Sequence, residues 1–332
     1  MMNEKKIHKW LQKNIKDWTS ENIWQNDLLD DIALIKTNQN LIGLTTDSII
    51  ENNHFTFKYC KAQDIAYKLF YKNYSDLIIK NIRPQFCLLN LNLSTSFVKG
   101  KNVLLFLKTL KKLLKKHKIV LCGGDIAWSQ TSIFTMTMGG EKSEQYISRK
   151  NNKIKKGDLV VLTGIVGKSQ VELKKILSKK KVPNLVVEEG YRRPKPYLKL
   201  LDLYKRVKVL TSIDLSDSLH QSLLILASLN NLKFNIDLNK IPFDKKLFKS
   251  KKVRTKKETL DSFSSALNSA EDLNALFIVP QDQKRNLKNF DCKVIGIVVK
   301  KDEKVRISYL KNNKKIPQQF NKEILKKQFL HF

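Results

Sequence analysis

The chain has 332 residues, 42% of them hydrophobic and 28% charged, and its 63 Lys and Arg outnumber 31 Asp and Glu to give a formal net charge of +32. That apolar fraction can fill a packed core, which excludes a disordered chain, and 11 Gly with 7 Pro are too few for a collagen-like or low-complexity one. No apolar run approaches the roughly 18–20 residues of a membrane span, and the length suggests two domains or one large one.

The segment from Met1 to Lys9 lacks the apolar stretch of a signal peptide. Cys60, Cys87, Cys122 and Cys292 lie far apart with no CxxC spacing, so a zinc ribbon is not expected. Both features predict a cytoplasmic protein with reduced, buried thiols. The apolar run Ile32–Ile35 follows Asp30-Asp31, and Leu41–Thr46 reads as a buried strand ending in Asp47. Ala62–Asn73 has helical periodicity, and Gln85–Leu93 reads as a strand after Pro84. Lys101–Lys118 predicts a helix with Val103, Leu104, Leu107, Leu110 and Leu114 on its apolar face. Ile119-Val120-Leu121 predicts a short strand entering Cys122-Gly123-Gly124-Asp125, where the glycines could form a tight turn, and Ser132–Met138 alternates as a half-buried strand does.

The polar stretch Lys150–Lys156 divides the chain into a domain of residues 1–150 and a second of residues 151–332. In the second, Leu159–Thr163, Ala275–Val279 and Val294–Val299 read as strands and Leu219–Asn230 as an amphipathic helix. Strands and helices alternate in both halves, which predicts an α/β or α+β class.

A charge of +32 would ordinarily suggest nucleic acid. Yet the chain holds 55 Lys and only eight Arg, and Arg is the residue suited to bidentate phosphate and base contacts. Lys, Asn and Ile are residues of A+T-rich codons. The runs at Lys101–Lys118, Lys174–Lys181 and Lys245–Lys257 read as solvated faces. Neither nucleic acid nor a membrane is the expected partner.

Acidic residues are the minority, so their positions are informative. Asp30-Asp31, Thr45-Thr46-Asp47, Ser75-Asp76, Gly123-Gly124-Asp125, Asp214-Leu215-Ser216-Asp217 and Glu271-Asp272 read as lying at the ends of apolar strands beside small or hydroxyl residues. Gathered together, such carboxylates would repel by about 4 kcal/mol per pair at 4 Å and an effective dielectric near 20. Cations must offset that. Hard oxygen donors suit Mg²⁺, which binds through one or two carboxylates plus substrate phosphates. A Mg²⁺-nucleotide site is the natural inference, although any one strand-end Asp is more simply a cap or turn residue. There is no GxxxxGK[ST] loop and no GxGxxG fingerprint, so the site must have another design.

The ordered set of motifs resembles the thiamine-monophosphate kinase family, in the superfamily that includes aminoimidazole-ribonucleotide synthetase and selenophosphate synthetase. Leu29-Asp30-Asp31-Ile32-Ala33 resembles GDDAA, Thr45-Thr46-Asp47 with His54-Phe55 resembles TTD…HF, Asn73-Tyr74-Ser75-Asp76 resembles NLSD, and Gly123-Gly124-Asp125-Ile126 resembles GGDT. Further along, Gly157-Asp158 with Thr163-Gly164 resembles GD…TG, Arg192-Arg193-Pro194-Lys195-Pro196 resembles RRP.P, and Asp214–Leu219 resembles DxSDGL. Ser269–Ala275 resembles GGEDYEL, and Gln328–Phe332 resembles GYxHF. Glycine is replaced at Leu29, Ser218, Ser269 and Ala270, which could distort those loops; the carboxylates all remain.

The resemblance implies an ATP- and Mg²⁺-dependent transfer of a phosphoryl group to thiamine monophosphate, giving thiamine diphosphate. It implies Asp30 or Asp31, Asp47, Asp76, Asp125, Asp214 and Asp217 as metal ligands, with Thr45 and Thr46 adding oxygens. Gly124, Asp125, Ser216 and Arg149 would contact ATP, and His54, Glu271 and Phe329 would line the thiamine pocket. It also implies two α/β domains, with the N-terminal sheet forming a homodimer interface and the C-terminal domain a layered α/β unit. Three rivals stand beside it: another enzyme of the superfamily such as an aminoimidazole-ribonucleotide synthetase, a basic nucleic-acid binder, and a catalytically dead relative.

Overall fold

The computed structural model describes residues 6, 7, 10, 11, 13, 23–25, 30–38, 40–142, 145–178, 190–248, 256–299, 306–316 and 320, with the backbone alone for 23–25 and 256–261. It forms two compact units, one running to Tyr146 and one beginning at Ile147.

The first unit is built on six strands: β1 (Ile23–Gln25), β2 (Ala33–Lys36), β3 (Leu41–Ile50), β4 (Phe86–Leu93), β5 (Val120–Trp128) and β6 (Ile133–Glu141). They pair in the order β1-β2-β3-β6-β4-β5, parallel between β4 and β5 and antiparallel elsewhere. Helix α1 (Ala62–Ile79) packs on β3, β6 and a later helix of the same unit. Its first turn is closed by the Lys61 N–H donating to Asp64 Oδ2 at 3.0 Å. Its end is set by Lys80 at the C-cap and Asn81 in the left-handed region, at φ 61°. A short helix α2 (Thr95–Val98) precedes α3 (Asn102–His117).

The second unit holds β7 (Leu159–Thr163), β8 (Thr211–Asp214), β9 (Lys233–Asp237), β10 (Ala275–Val279), β11 (Cys292–Val299), β12 (Ile307–Lys311) and β13 (Lys314–Lys315) in the order β13-β12-β9-β11-β7-β10-β8. The β9–β12 pair is parallel and the others are antiparallel. β7 and β10 are buried along their whole length, which is why both read as unbroken apolar runs. The helices are α4 (Lys168–Ser178), α5 (Leu200–Arg206), α6 (Leu219–Leu229) and α7 (Lys256–Leu267). Leu219, Leu223 and Leu226 of α6 join Phe234, Leu276 and Ile278 in the core.

The fold is thus a mixed α/β one with two sheets. Four sequence expectations are corrected. Asp76 is not at a strand end: the helix predicted to stop at Asn73 runs on to Ile79, because Leu77, Ile78 and Ile79 continue its buried face. On α3 the buried stripe is Phe106, Leu110, Leu113 and Leu114, while Leu104 and Leu107 face outward. Apolar residues lie on more than one side of this helix, so spacing alone could not select the inner face. Gly123-Gly124 is no turn, since β5 passes straight through it. Cys60 and Cys87 are buried as expected, but Cys122 is exposed and Cys292 half-buried.

Candidate active site

In the first unit, strand alternation sorts the Thr45-Thr46-Asp47 motif between two faces of β3. Thr46 Oγ1 accepts from Thr137 Oγ1 at 3.1 Å on the exposed face, beside Ser48 and Thr135, whose hydroxyls lie 2.7 Å apart. Thr45 is buried and donates to Asp76 Oδ2 at 2.7 Å, with the Asp31 carbonyl 3.2 Å away. The Asp47 N–H donates to Asn73 Oδ1 at 3.0 Å, and its carboxylate lies 3.8 Å from Lys72 Nζ. Lys72, Asn73 and Asp76 fall on one side of α1 by their spacing of three and four. Asp31 and Asp76 offer carboxylate oxygens within 4.8 Å of each other. Two carboxylates, with the Thr45 hydroxyl bridging one of them to the Asp31 main-chain carbonyl, make a hard-oxygen donor set that fits Mg²⁺.

The Asp30-Asp31 pair is divided. The Asp30 side chain is fully buried and already saturated: Oδ1 meets Lys80 Nζ at 2.6 Å and accepts the Asp31 N–H at 2.9 Å, while Oδ2 accepts from Tyr146 at 2.8 Å. Asp31 is the member that reaches Asp76. Lys80 also contacts Asp31 Oδ2 at 3.2 Å, and its own side chain is fully buried.

Gly124 sits where β5 crosses β4 at a register shift, and a Cβ there would lie 1.7 Å from the Leu89 carbonyl oxygen. Only glycine fits this close approach. Asp125, next along, is exposed and stands opposite Asn90. β5 is the sheet's outer strand, and its apolar residues face solvent, with Ile126 72% and Trp128 73% exposed.

In the second unit, two motifs far apart in sequence are hydrogen-bonded side by side. Leu215 N–H donates to the Asn274 carbonyl, Leu273 N–H to Leu215 and Glu271 N–H to Ser216, at 2.8, 3.2 and 2.9 Å. Asp214, the last residue of β8, is buried and accepts from Ser216 Oγ at 3.0 Å, whereas Asp217 is exposed. Glu271 and Leu273 adopt positive φ of 59° and 52°, a conformation costing about 1–3 kcal/mol that persists where the surroundings over-determine it. In this unit the backbone at the replaced glycines does not require positive φ. Ser218, Ser269 and Ala270 are absent from the positive-φ residues. Ser218 instead caps α6, accepting from the Gln221 N–H at 3.3 Å. Leu29 lies outside the described residues.

Asp272, named from sequence among the clustered acids, is given no role there. Its carboxylate is buried and accepts from the Gly167 N–H at 2.7 Å, the Ser169 N–H at 3.0 Å and Ser269 Oγ at 3.0 Å, closing the start of α4. Burial pushes its pKa up to about 6 against these favourable donors. The serine that replaces a motif glycine is therefore part of what holds this acid. Arg192 and Glu172 form a buried pair, with Nε donating to Oε1 at 2.8 Å, so the first arginine of the Arg-Arg-Pro segment is structural.

His54 is half-buried, and its Nδ1 accepts from the Ile50 N–H at 3.1 Å, which places the neutral ring's proton on Nε2. Its carbonyl accepts from the buried Lys68 at 2.8 Å. The Arg149 carbonyl is held by Thr211 Oγ1 and Asn230 Nδ2, at 2.9 and 2.8 Å. Phe329 lies outside the described residues.

Residues 29–141 match the family described as AIR synthase related protein, N-terminal domain. The chain is 32% identical over 256 residues to the thiamine-monophosphate kinase of Leptospira interrogans serogroup Icterohaemorrhagiae serovar Lai, covering 76% of this chain and 79% of that one. It is 30% identical over 305 residues to the thiamine-monophosphate kinase of Buchnera aphidicola subsp. Schizaphis graminum, covering 86% and 88%. The chain belongs to the thiamine-monophosphate kinase family. The solved structure of AaThiL complexed with AMPPCP and TMP superposes with a TM-score of 0.75 over 95% of this chain and 94% of that one, at 23% identity, and shows the same fold. Among the described residues, no helix is long and apolar enough to cross a membrane.

Proposed function

We propose that this chain transfers the γ-phosphoryl group of ATP to thiamine monophosphate. A phosphate oxygen of thiamine monophosphate forms the new bond to the γ-phosphorus, the bond from that phosphorus to the ADP oxygen breaks, and thiamine diphosphate and ADP result. The observation that carries this reading is the family membership, together with the Asp31–Thr45–Asp76 cluster at the motif positions.

The acceptor is already ionised at neutral pH, so little general-base help is needed and the barrier is mainly electrostatic. Mg²⁺, when bound, supplies positive charge to the triphosphate and to the migrating group. Asp31 and Asp76 are the first unit's holders for it, with Thr45 fixing the Asp76 carboxylate through its 2.7 Å hydrogen bond. Asp47, Asp125, Asp214 and Asp217 are the further ligands of this reading, and Thr46 adds an oxygen from the opposite face of β3. Gly124, Ser216 and Arg149 contact the nucleotide. His54, Glu271 and Phe329 line the thiamine pocket, where a carboxylate and an aromatic ring suit a cationic thiazolium.

The reading includes a homodimer formed through the first unit's sheet. Its support is β5, an outer strand with exposed apolar side chains whose far edge has no partner strand among the described residues. Such an edge invites pairing with another strand. Light scattering on Ile126→Lys with Trp128→Lys should give a monomer where the parent gives a dimer.

The test of the activity is direct. Purified protein with ATP, Mg²⁺ and thiamine monophosphate should form thiamine diphosphate, and Asp47→Asn with Asp217→Asn should abolish it. Full activity in that double variant would refute the ligand set.

A further inference from the structure

Lys80 is the feature that neither the motifs nor the reaction calls for. It ends α1 after three apolar residues, Leu77-Ile78-Ile79, and its ammonium is removed from water. Burying an ammonium is costly, and a buried ion pair is often no more stabilising than apolar residues of the same volume. A lysine kept there therefore needs a reason beyond fold stability. Its position at a helix C-terminus favours a cation, but an exposed side chain would gain that as well.

Its contacts supply the reason. Nζ meets Asp30 at 2.6 Å and Asp31 at 3.2 Å, and Asp31 in turn shares its surroundings with Asp76. Ionised, Asp30 and Asp31 together with the one ammonium leave one net negative charge, where the two acids without it would present two. Tyr146 and the Asp31 N–H complete the shell around Asp30, so this acid has its cation and its donors already.

We propose that Lys80 is a resident cation that reserves Asp30 for itself and so sets the charge with which Asp31 and Asp76 meet a divalent metal. It is a positioning and charge-setting residue, not a catalytic one. The inference rests on reading Asp31 and Asp76 as a divalent-cation site, but not on which substrate the enzyme uses.

The experiment is a charge cycle read by Mn²⁺ binding to the whole chain, by electron paramagnetic resonance, with no nucleotide or thiamine monophosphate present. Lys80→Met raises the net negative charge of the cluster and should bind Mn²⁺ at least about tenfold more tightly than the parent. Asp30→Asn lowers it and should bind about tenfold more weakly. The double variant Asp30→Asn with Lys80→Met restores the parent's charge and should restore its affinity. A role confined to packing gives no reason for the double variant to recover. The proposal is overturned if folded Lys80→Met binds no more tightly than the parent, or if the double variant binds no more tightly than Asp30→Asn. Should Lys80→Met fail to fold, the second comparison decides alone. Absence of Mn²⁺ binding in the parent would overturn the metal cluster and this inference together. Absence of kinase activity with the affinity order intact would overturn only the substrate.

Discussion

Around Asp30 and Asp31 the buried carboxylates are held by an ammonium, whereas around Asp272 the buried carboxylate is held by two backbone N–H groups and a hydroxyl. Both arrangements satisfy the acid's oxygens, yet they do different things. An ammonium changes the charge that the cluster presents to a cation. Neutral donors leave the full charge and merely fix its position. For Asp272 they do not offset desolvation, so its pKa rises to about 6. The lesson is that a motif carboxylate cannot be given a role from its type alone, because its partners decide what charge remains to be used.

The largest expected effect breaks the first arrangement. Removing Lys80 takes away the ammonium that meets both adjacent carboxylates, and Lys80→Met should cost about 3–5 kcal/mol in metal-free urea denaturation. A loss under about 1 kcal/mol would mean that this ion pair behaves like a surface one.

The next concerns a second buried group held by a neutral partner. His220 has Nδ1 2.6 Å from the Tyr309 hydroxyl, and burial lowers its pKa to about 4. A group with a depressed folded-state pKa contributes stability that is present above its unfolded value, near 6.5, and is lost as pH falls through the folded value. The parent should therefore lose about 3 kcal/mol between pH 6.5 and 4 from this group. His220→Gln should flatten that part of the curve in denaturation series run at each pH.

Asp272 should show the opposite slope. Its raised pKa means that its contribution is full below about 3.8 and is lost as pH rises through about 6. The deficit of Asp272→Asn should be greatest near pH 4 and shrink by about 2–3 kcal/mol by pH 7.5. A deficit that grows with pH would show that the neutral donors outweigh burial after all.

Much of this was legible in the chain. The unbroken apolar runs of β7 and β10, the helix beginning at Leu219 and the order of the acidic motifs were all readable, because burial on both faces and amphipathic spacing leave plain patterns. The division of Asp30 from Asp31 was not readable. It depends on Lys80 and Tyr146, which are 50 and 116 residues away from Asp30 in sequence and carry no motif. The one local sign was a lysine closing an apolar helical run. The role of Asp272 was hidden for a related reason, since its donors at Gly167 and Ser169 come from another turn. The missing glycines misled in the other direction. A glycine-to-serine change suggests strain, but backbone dihedrals decide it, and here Ser218 and Ser269 turn the change into a helix cap and a carboxylate donor.

The central claim is that Asp31 and Asp76 hold the Mg²⁺ that makes phosphoryl transfer to thiamine monophosphate possible. Its most direct test is the rate of thiamine diphosphate formation against Mg²⁺ concentration, for the parent and for Asp76→Asn, with circular dichroism to confirm that both are folded. The variant should lose at least about 10³-fold in rate, on the order of a removed charge-stabilising group, with a higher Mg²⁺ midpoint for whatever activity remains. A folded Asp76→Asn with the parent's rate and the parent's Mg²⁺ midpoint would contradict it.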